Sequence, residues 1–60
     1  MNTHELLELL GRKQVMADTG LSRGSMSQWA TANRIPSPWL KFLKQKYQRK
    51  VNWAEYTGVQ

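Results

Sequence analysis

The sequence predicts an all-α protein, a compact bundle of four to five short helices in a single domain over residues 1–60. Three observations lead there. Apolar residues recur three and four apart in successive short stretches, Gly and Pro fall singly between those stretches, and Asn or Ser precedes most of them as a cap. Sixty residues fit one domain, and 40% apolar content with three Trp, two Tyr and one Phe is too much for a disordered basic tail. A chain of this size buries only about 60% of the surface its unfolded form exposes, so the core is marginal and self-association is expected.

The first helix is predicted over roughly residues 3 to 10. Asn2 can cap it, Glu5 is the returning acceptor, and Met1 and Leu6 take staple positions. Leu6, Leu9 and Leu10 share a face with Leu7 at its margin, and Gly11 ends the helix. A second helix runs from about Arg12 or Lys13 to Thr19 on a face of Val15, Met16 and Thr19, and Gly20 supplies the permissive backbone for a sharp turn. Ser22 caps a third helix reaching about Ala30 or Thr31, with Met26, Trp29 and Ala30 inward and Arg23, Ser27 and Gln28 outward.

Residues 31–37 read as a loop, because Pro36 pushes Ile35 out of the helical region. Ser37 as cap and Pro38 at the first helical position start a fourth helix, expected to run to about Arg49. Its stripe is Leu40, Leu43, Tyr47 and Val51, widened by Trp39 and Phe42 and surrounded by Lys41, Lys44, Lys46, Arg49 and Lys50. Asn52 and Glu55 then have capping-box spacing, with Val51 and Tyr56 at staple positions and Gly58 as a stop. A short fifth helix is the reading there, and a strand is the alternative for so short an aromatic segment.

Nine Lys and Arg against four Asp and Glu give a net charge of +5, which suits a polyanionic partner. The charge is also placed. Residues 1–10 carry Glu5 and Glu8 and no Lys or Arg, whereas all nine cations lie between Arg12 and Lys50. Absent cysteine excludes disulfides, thiol catalysis and thiolate metal sites, and the single histidine, His4, supplies neither a multi-histidine metal site nor a recognisable catalytic pair. No enzyme activity, metal, cofactor or small-molecule ligand is expected. No apolar run approaches the roughly 20 residues of a membrane span, and residues 1–5 lack a signal-peptide pattern, so a cytoplasmic location is expected.

The stretch from Arg12 to Trp29 is the most specific. A DNA-binding helix-turn-helix needs two short helices held steeply by a three- or four-residue turn, so that the second can enter the major groove. Gly20 can make the bend, Val15 and Leu21 can plug the core, and Met26 and Trp29 can pin the second helix by its inner side. At these residues the sequence resembles the phage Cro and CI repressor family, and is closest to small Cro-like proteins. Thr19-Gly20-Leu21-Ser22-Arg23-Gly24-Ser25-Met26-Ser27-Gln28-Trp29 resembles the family's turn and recognition helix, and Met26-Ser27-Gln28-Trp29 is similar to the Val-Ser-Gln-Trp of short Cro-like proteins. Ile35-Pro36 after the motif fits as well, and the resemblance covers about residues 6 to 36. Two positions depart from it. Met16 stands where the family usually has Ala, and Thr19 where an apolar residue usually precedes the glycine. Either the helices splay slightly around Met16 or the turn is offset by one residue.

The resemblance implies a lambda-repressor-like fold, with the helix-turn-helix over about 12–31 and a C-terminal helix and dimer segment over about 38–58. On the geometry of such motifs, Ser22, Arg23, Gly24, Ser27 and Gln28 face base edges. Arg23 suits guanine O6 and N7, Gln28 suits adenine N6 and N7, and Gly24 permits close approach. Arg12, Lys13 and Gln14, with Asn33 and Arg34 after the third helix, are expected at phosphates. Arg12 takes the spacing where the family often places a phosphate-binding Gln. Lys41, Lys44, Lys46, Arg49 and Lys50 either extend that footprint or form a solvated face, and Trp39, Trp53 and Tyr56 are candidates for a dimer contact.

The function expected is that of a Cro-type transcriptional repressor, a homodimer on an approximately palindromic double-stranded operator, in the cytoplasm of a bacterial host of phage or prophage. Sixty residues leave no room for an effector domain, so repression by occupancy is implied. Two alternatives stand beside it: an excisionase- or antitoxin-like DNA-binding protein whose aromatic C-terminal segment grips another protein, and a protein- or membrane-surface module using the basic fourth helix.

Overall fold

The computed structural model describes residues 1–58, which form four α-helices and one 3₁₀ turn. α1 (Thr3–Leu10) begins at the predicted capping box: Asn2 Oδ1 accepts from Glu5 N at 2.9 Å, and Glu5 Oε1 accepts from Asn2 N at 3.3 Å. Gly11, at φ 89°, donates its N–H to Leu7 O at 2.8 Å and accepts from Val15 N at 3.1 Å. One residue therefore ends α1 and opens α2 (Arg12–Thr19), at a positive φ that glycine adopts without strain. Gly20 closes α2 in the left-handed region at φ 74°, and Ser22 caps α3 (Arg23–Ala32) by accepting from Ser25 N.

The connection from α2 to α3 is thus the three residues Gly20, Leu21 and Ser22. Thr19 explains its own polarity there. Its hydroxyl donates to Val15 O at 2.8 Å and accepts from Leu21 N at 3.2 Å, so it ties both sides of the turn while Leu21 packs against the core. Met16 is half-buried against the same core and fills the space that a smaller residue would leave.

α3 extends one or two residues past its predicted end, to a left-handed Asn33 at φ 51°. α4 (Ser37–Lys46) corrects the predicted fourth helix at both ends. Ser37 is its first helical residue and makes no capping bond; the cap position is Pro36, whose carbonyl accepts from Leu40 N at 2.8 Å. The C-terminus comes at Lys46, not near Arg49. At that point the Tyr47 hydroxyl donates to the Asp18 carboxylate on α2 and Lys46 pairs with it, tying the last turn to α2. Tyr47 O accepts from Lys50 N at 3.1 Å, Val51 N at 3.2 Å and the Trp53 indole N–H at 3.3 Å, turning the chain so that Val51 still reaches the core.

The predicted fifth helix is a single 3₁₀ turn, Trp53–Glu55, in which Asn52 Oδ1 accepts from Ala54 N rather than from Glu55 N. The segment after it returns to the start of α1. Thr57 N donates to Met1 O at 2.7 Å, the Met1 ammonium donates to Glu55 O, and Tyr56 Oη lies 2.6 Å from Thr3 Oγ1.

Leu6, Leu7, Leu10, Val15, Met26, Trp29, Ile35, Leu40, Leu43 and Val51 form the core. Here the predicted face of α1 is corrected. Leu7, placed at the margin, is fully buried, while Leu9, placed inside, is 46% exposed. α1 packs on both α2 and α3, and contact on two sides rotates the buried stripe to Thr3, Leu6, Leu7 and Leu10. The Cα radius of gyration is 10.2 Å, against about 10.4 Å expected for a globular chain of this length, so one copy closes its own core. Among the described residues no helix is long and apolar enough to cross a membrane.

Candidate nucleic-acid interface

α3 is pinned by Met26 and Trp29, both buried, and this fixes what it turns to solvent. Arg23, Gly24, Ser27, Gln28, Thr31 and Ala32 are exposed. Gly24, Ser27, Gln28 and Thr31 follow the i, i+3, i+4, i+7 spacing of one helical stripe, and α3 carries no acidic residue. Of the predicted base-facing set, Arg23, Gly24, Ser27 and Gln28 lie on this open side. Ser22 is exposed as well, at the N-terminal edge of this side. Its Oγ accepts from Ser25 N at 3.3 Å as the helix cap.

Thr31 belongs to the stripe and was missed from sequence, although its position four after Ser27 and seven after Gly24 carries the signal. Two hollows flank α3. On one side His4, Arg12, Ser27, Ala30 and Thr31 line a cleft of about 340 Å³; on the other Gln28, Trp29, Ala32, Arg34 and Pro36 line one of about 320 Å³. The fold thus brings Arg12, from the predicted phosphate set, beside Ser27, and Arg34 beside Gln28. A polar helix face bordered on each side by a guanidinium has the chemistry of a base-reading ridge between two backbone contacts.

The remaining predicted phosphate residues differ in freedom. Lys13 and Arg34 are exposed and in no ion pair among the described residues. Gln14 donates to Asp18 Oδ1 at 3.0 Å, and Asn33 is half-buried with its side-chain oxygen accepting from Thr3 N at 2.8 Å, so both serve the fold through those atoms. Arg12 is also held. Its Nε lies 3.3 Å from Glu8 Oε1 and its Nη2 lies 3.1 Å from His4 Nδ1.

Comparison with known protein families, curated proteins and solved structures finds no match to this chain. Its chemistry is read from its own geometry.

Lys46 pairs with Asp18 at 3.2 Å, while Lys41, Lys44, Arg49 and Lys50 make no ion pair among the described residues. Lys41 and Lys44 border a shallow groove over Ser37, Pro38 and Leu40 at the start of α4. The Asp18 carboxylate also accepts from the Tyr47 hydroxyl, and with the Gln14 and Lys46 contacts this joins α2 to the end of α4. The hydrogen bond from Tyr47 lowers the Asp18 pKa despite the opposing cost of burial. Burial first, and then the Asp18 contact, push the Tyr47 phenol up to about 12.

The three aromatics expected at a dimer contact are half-buried within one chain. Trp39 packs edge-on to Phe42 with ring centroids 6.0 Å apart, and Trp53 meets Tyr56 in the same manner at 6.0 Å. Trp53 and Tyr56 also spend their polar atoms internally, on Tyr47 O and Thr3 Oγ1.

Proposed function

We propose that the protein is a sequence-specific binder of double-stranded DNA that acts as a transcriptional repressor, with α3 in the major groove and two copies on an approximately palindromic operator. The observation that carries this reading is the acid-free outward face of α3, bordered by Arg12 in one hollow and Arg34 in the other. Arg23 reads guanine through its fork of donors and Gln28 reads adenine through its amide, while Lys13, Arg34 and Arg12 hold phosphates and set the register. Paired α3 helices contact half-sites roughly one helical turn, about 34 Å, apart. Bound in this way, the dimer represses by occupying the site that polymerase needs. The half-buried Trp39 and the surface around Trp53 and Tyr56 are the surfaces assigned to the second copy.

The reading is tested by selection from random duplexes at fixed salt, followed by footprinting. Enrichment of a palindromic consensus with two protected half-sites is the expected result. Recovery of random sequence would remove the repressor assignment, and binding to anionic vesicles with no preference among duplexes would transfer the basic surface to a membrane role.

A further inference from the structure

We propose that the outer stripe of α1 and the groove at the start of α4 are the two halves of one contact between copies of this chain. Leu9 of one copy seats over Pro38 and Leu40 of the next, while Glu5 and Glu8 meet Lys41 and Lys44. The contact uses neither α3 nor Trp39, Trp53 or Tyr56, and it stands or falls independently of DNA binding.

Leu9 is the one large apolar side chain left exposed among the described residues, at 46%. A single exposed leucine is ordinary on a protein surface, so its surroundings carry the argument. Glu5, Glu8 and Leu9 follow the i, i+3, i+4 spacing of one helical stripe, all three are exposed, and α1 carries no Lys or Arg. Glu5 gives Oε1 to Asn2 N and Glu8 gives Oε1 to Arg12, which leaves the second oxygen of each for a partner. The outside of α1 is thus an apolar knob flanked by carboxylates.

α4 presents the complement. Ser37, Leu40, Lys41 and Lys44 follow the i, i+3, i+4, i+7 spacing, and with Pro38 they line an open groove of about 510 Å³. Pro38 is exposed and Leu40 is buried beside it, while neither Lys41 nor Lys44 is in an ion pair among the described residues. Lysine stems lie along apolar surface and keep their ammonium groups in water. A phosphodiester would answer the two ammonium groups but leave Pro38 uncovered. An acidic stripe with a leucine in it answers both, and every copy of this chain carries one.

Knob and groove are different surfaces, so the contact is heterologous: each copy offers the half that its neighbour lacks. One leucine and its flanking charges fall well below the roughly 1,200 Å² of a standard interface, so the contact is weak. It acts between copies that are already held near one another, where effective concentration replaces affinity.

The test titrates isotope-labelled chain with unlabelled chain, without DNA, up to about 1 mM and follows the backbone amides by NMR. Amides of residues 8–10 and 38–44 are expected to shift together with concentration, and less so as salt is added. Leu9→Gln, and separately Lys41→Gln with Lys44→Gln, are each expected to weaken the association about tenfold or more. Adding unlabelled Leu9→Gln chain to the labelled double variant is expected to restore the shifts at residues 8–10 of the labelled chain, because an intact knob then meets an intact groove. That restoration requires both variants to be folded and cannot come from general destabilisation. Shifts confined to one of the two faces, shifts that persist in Leu9→Gln, a mixture that restores nothing, or no concentration dependence at all would each overturn the proposal. None of these outcomes bears on duplex binding, which the selection experiment tests separately.

Discussion

Gly24 separates what the fold needs from what the α3 face is proposed to do. A Cβ built there meets nothing nearer than Ser22 Oγ at 3.6 Å, an ordinary contact, and its backbone is helical. Gly24→Ala should therefore stabilise the domain by up to about 1 kcal/mol, the helix propensity gained. If α3 lies against base pairs, the same methyl crowds the duplex. The expected outcome is a raised Tm in thermal denaturation together with weaker operator binding; a raised Tm with unchanged affinity would place Gly24 away from the DNA. Some polar groups named for DNA contact also serve the fold. Ser22 is the α3 cap its position predicts, whereas Gln14 and Asn33 look free in the sequence but give one atom each to an Asp four residues on and to a distant Thr3 N–H. Only the capping and the i, i+4 contact are local enough to be seen beforehand.

At the scale of elements, helix starts were legible and one helix face was not. The capping box of Asn2 and Glu5 and the Ser22 cap are local patterns with local causes, and the structure places α1, α2 and α3 at the predicted starts to within a residue. Which of Leu7 and Leu9 is buried depends on two neighbouring helices, which no pattern within α1 can weigh. Leu7→Ala should cost about 2 to 5 kcal/mol, and Leu9→Ala within about 0.5 kcal/mol. A domain of this length has roughly 3 to 9 kcal/mol in all, so urea denaturation should find the midpoint of the first variant strongly lowered and that of the second near wild type. The reverse order would mean α1 is rotated.

The end of α4 was illegible for a related reason, since it depends on Tyr47 reaching Asp18 on α2. That junction has a pH signature. Asp18 is held below its ordinary 3.8, so its contribution to stability is present above that value and is lost as pH falls through the lower folded value. Tyr47, raised from 10.0 to about 12, stabilises the fold fully below 10 and ceases to do so as the pH climbs through about 12. Circular dichroism melts across pH should show Asp18→Asn with a flatter acid limb and Tyr47→Phe with a flatter alkaline limb. Limbs identical to wild type would dissociate this junction from α4.

Across the whole molecule, the net charge of +5 resolves into a pattern. Glu8 and Asp18 each partner one cation, leaving Lys13, Arg23, Arg34, Lys41, Lys44, Arg49 and Lys50 outside ion pairs among the described residues. The all-helical class and the turn at Gly20 could be read from periodicity and caps. The cleft joining His4 to Ser27 and Thr31 could not, because it depends on how α1 lies across α3. The central claim is that α3 reads bases while its flanks hold the backbone. Its most direct measurement is the affinity of Arg23→Ala, Gln28→Ala and Lys13→Ala for the selected operator and for a scrambled duplex at one salt concentration. Arg23→Ala and Gln28→Ala should each lose about 1 to 3 kcal/mol on the operator and little on scrambled DNA, whereas Lys13→Ala should lose equally on both. Equal losses on both duplexes for Arg23→Ala and Gln28→Ala would contradict base reading by α3.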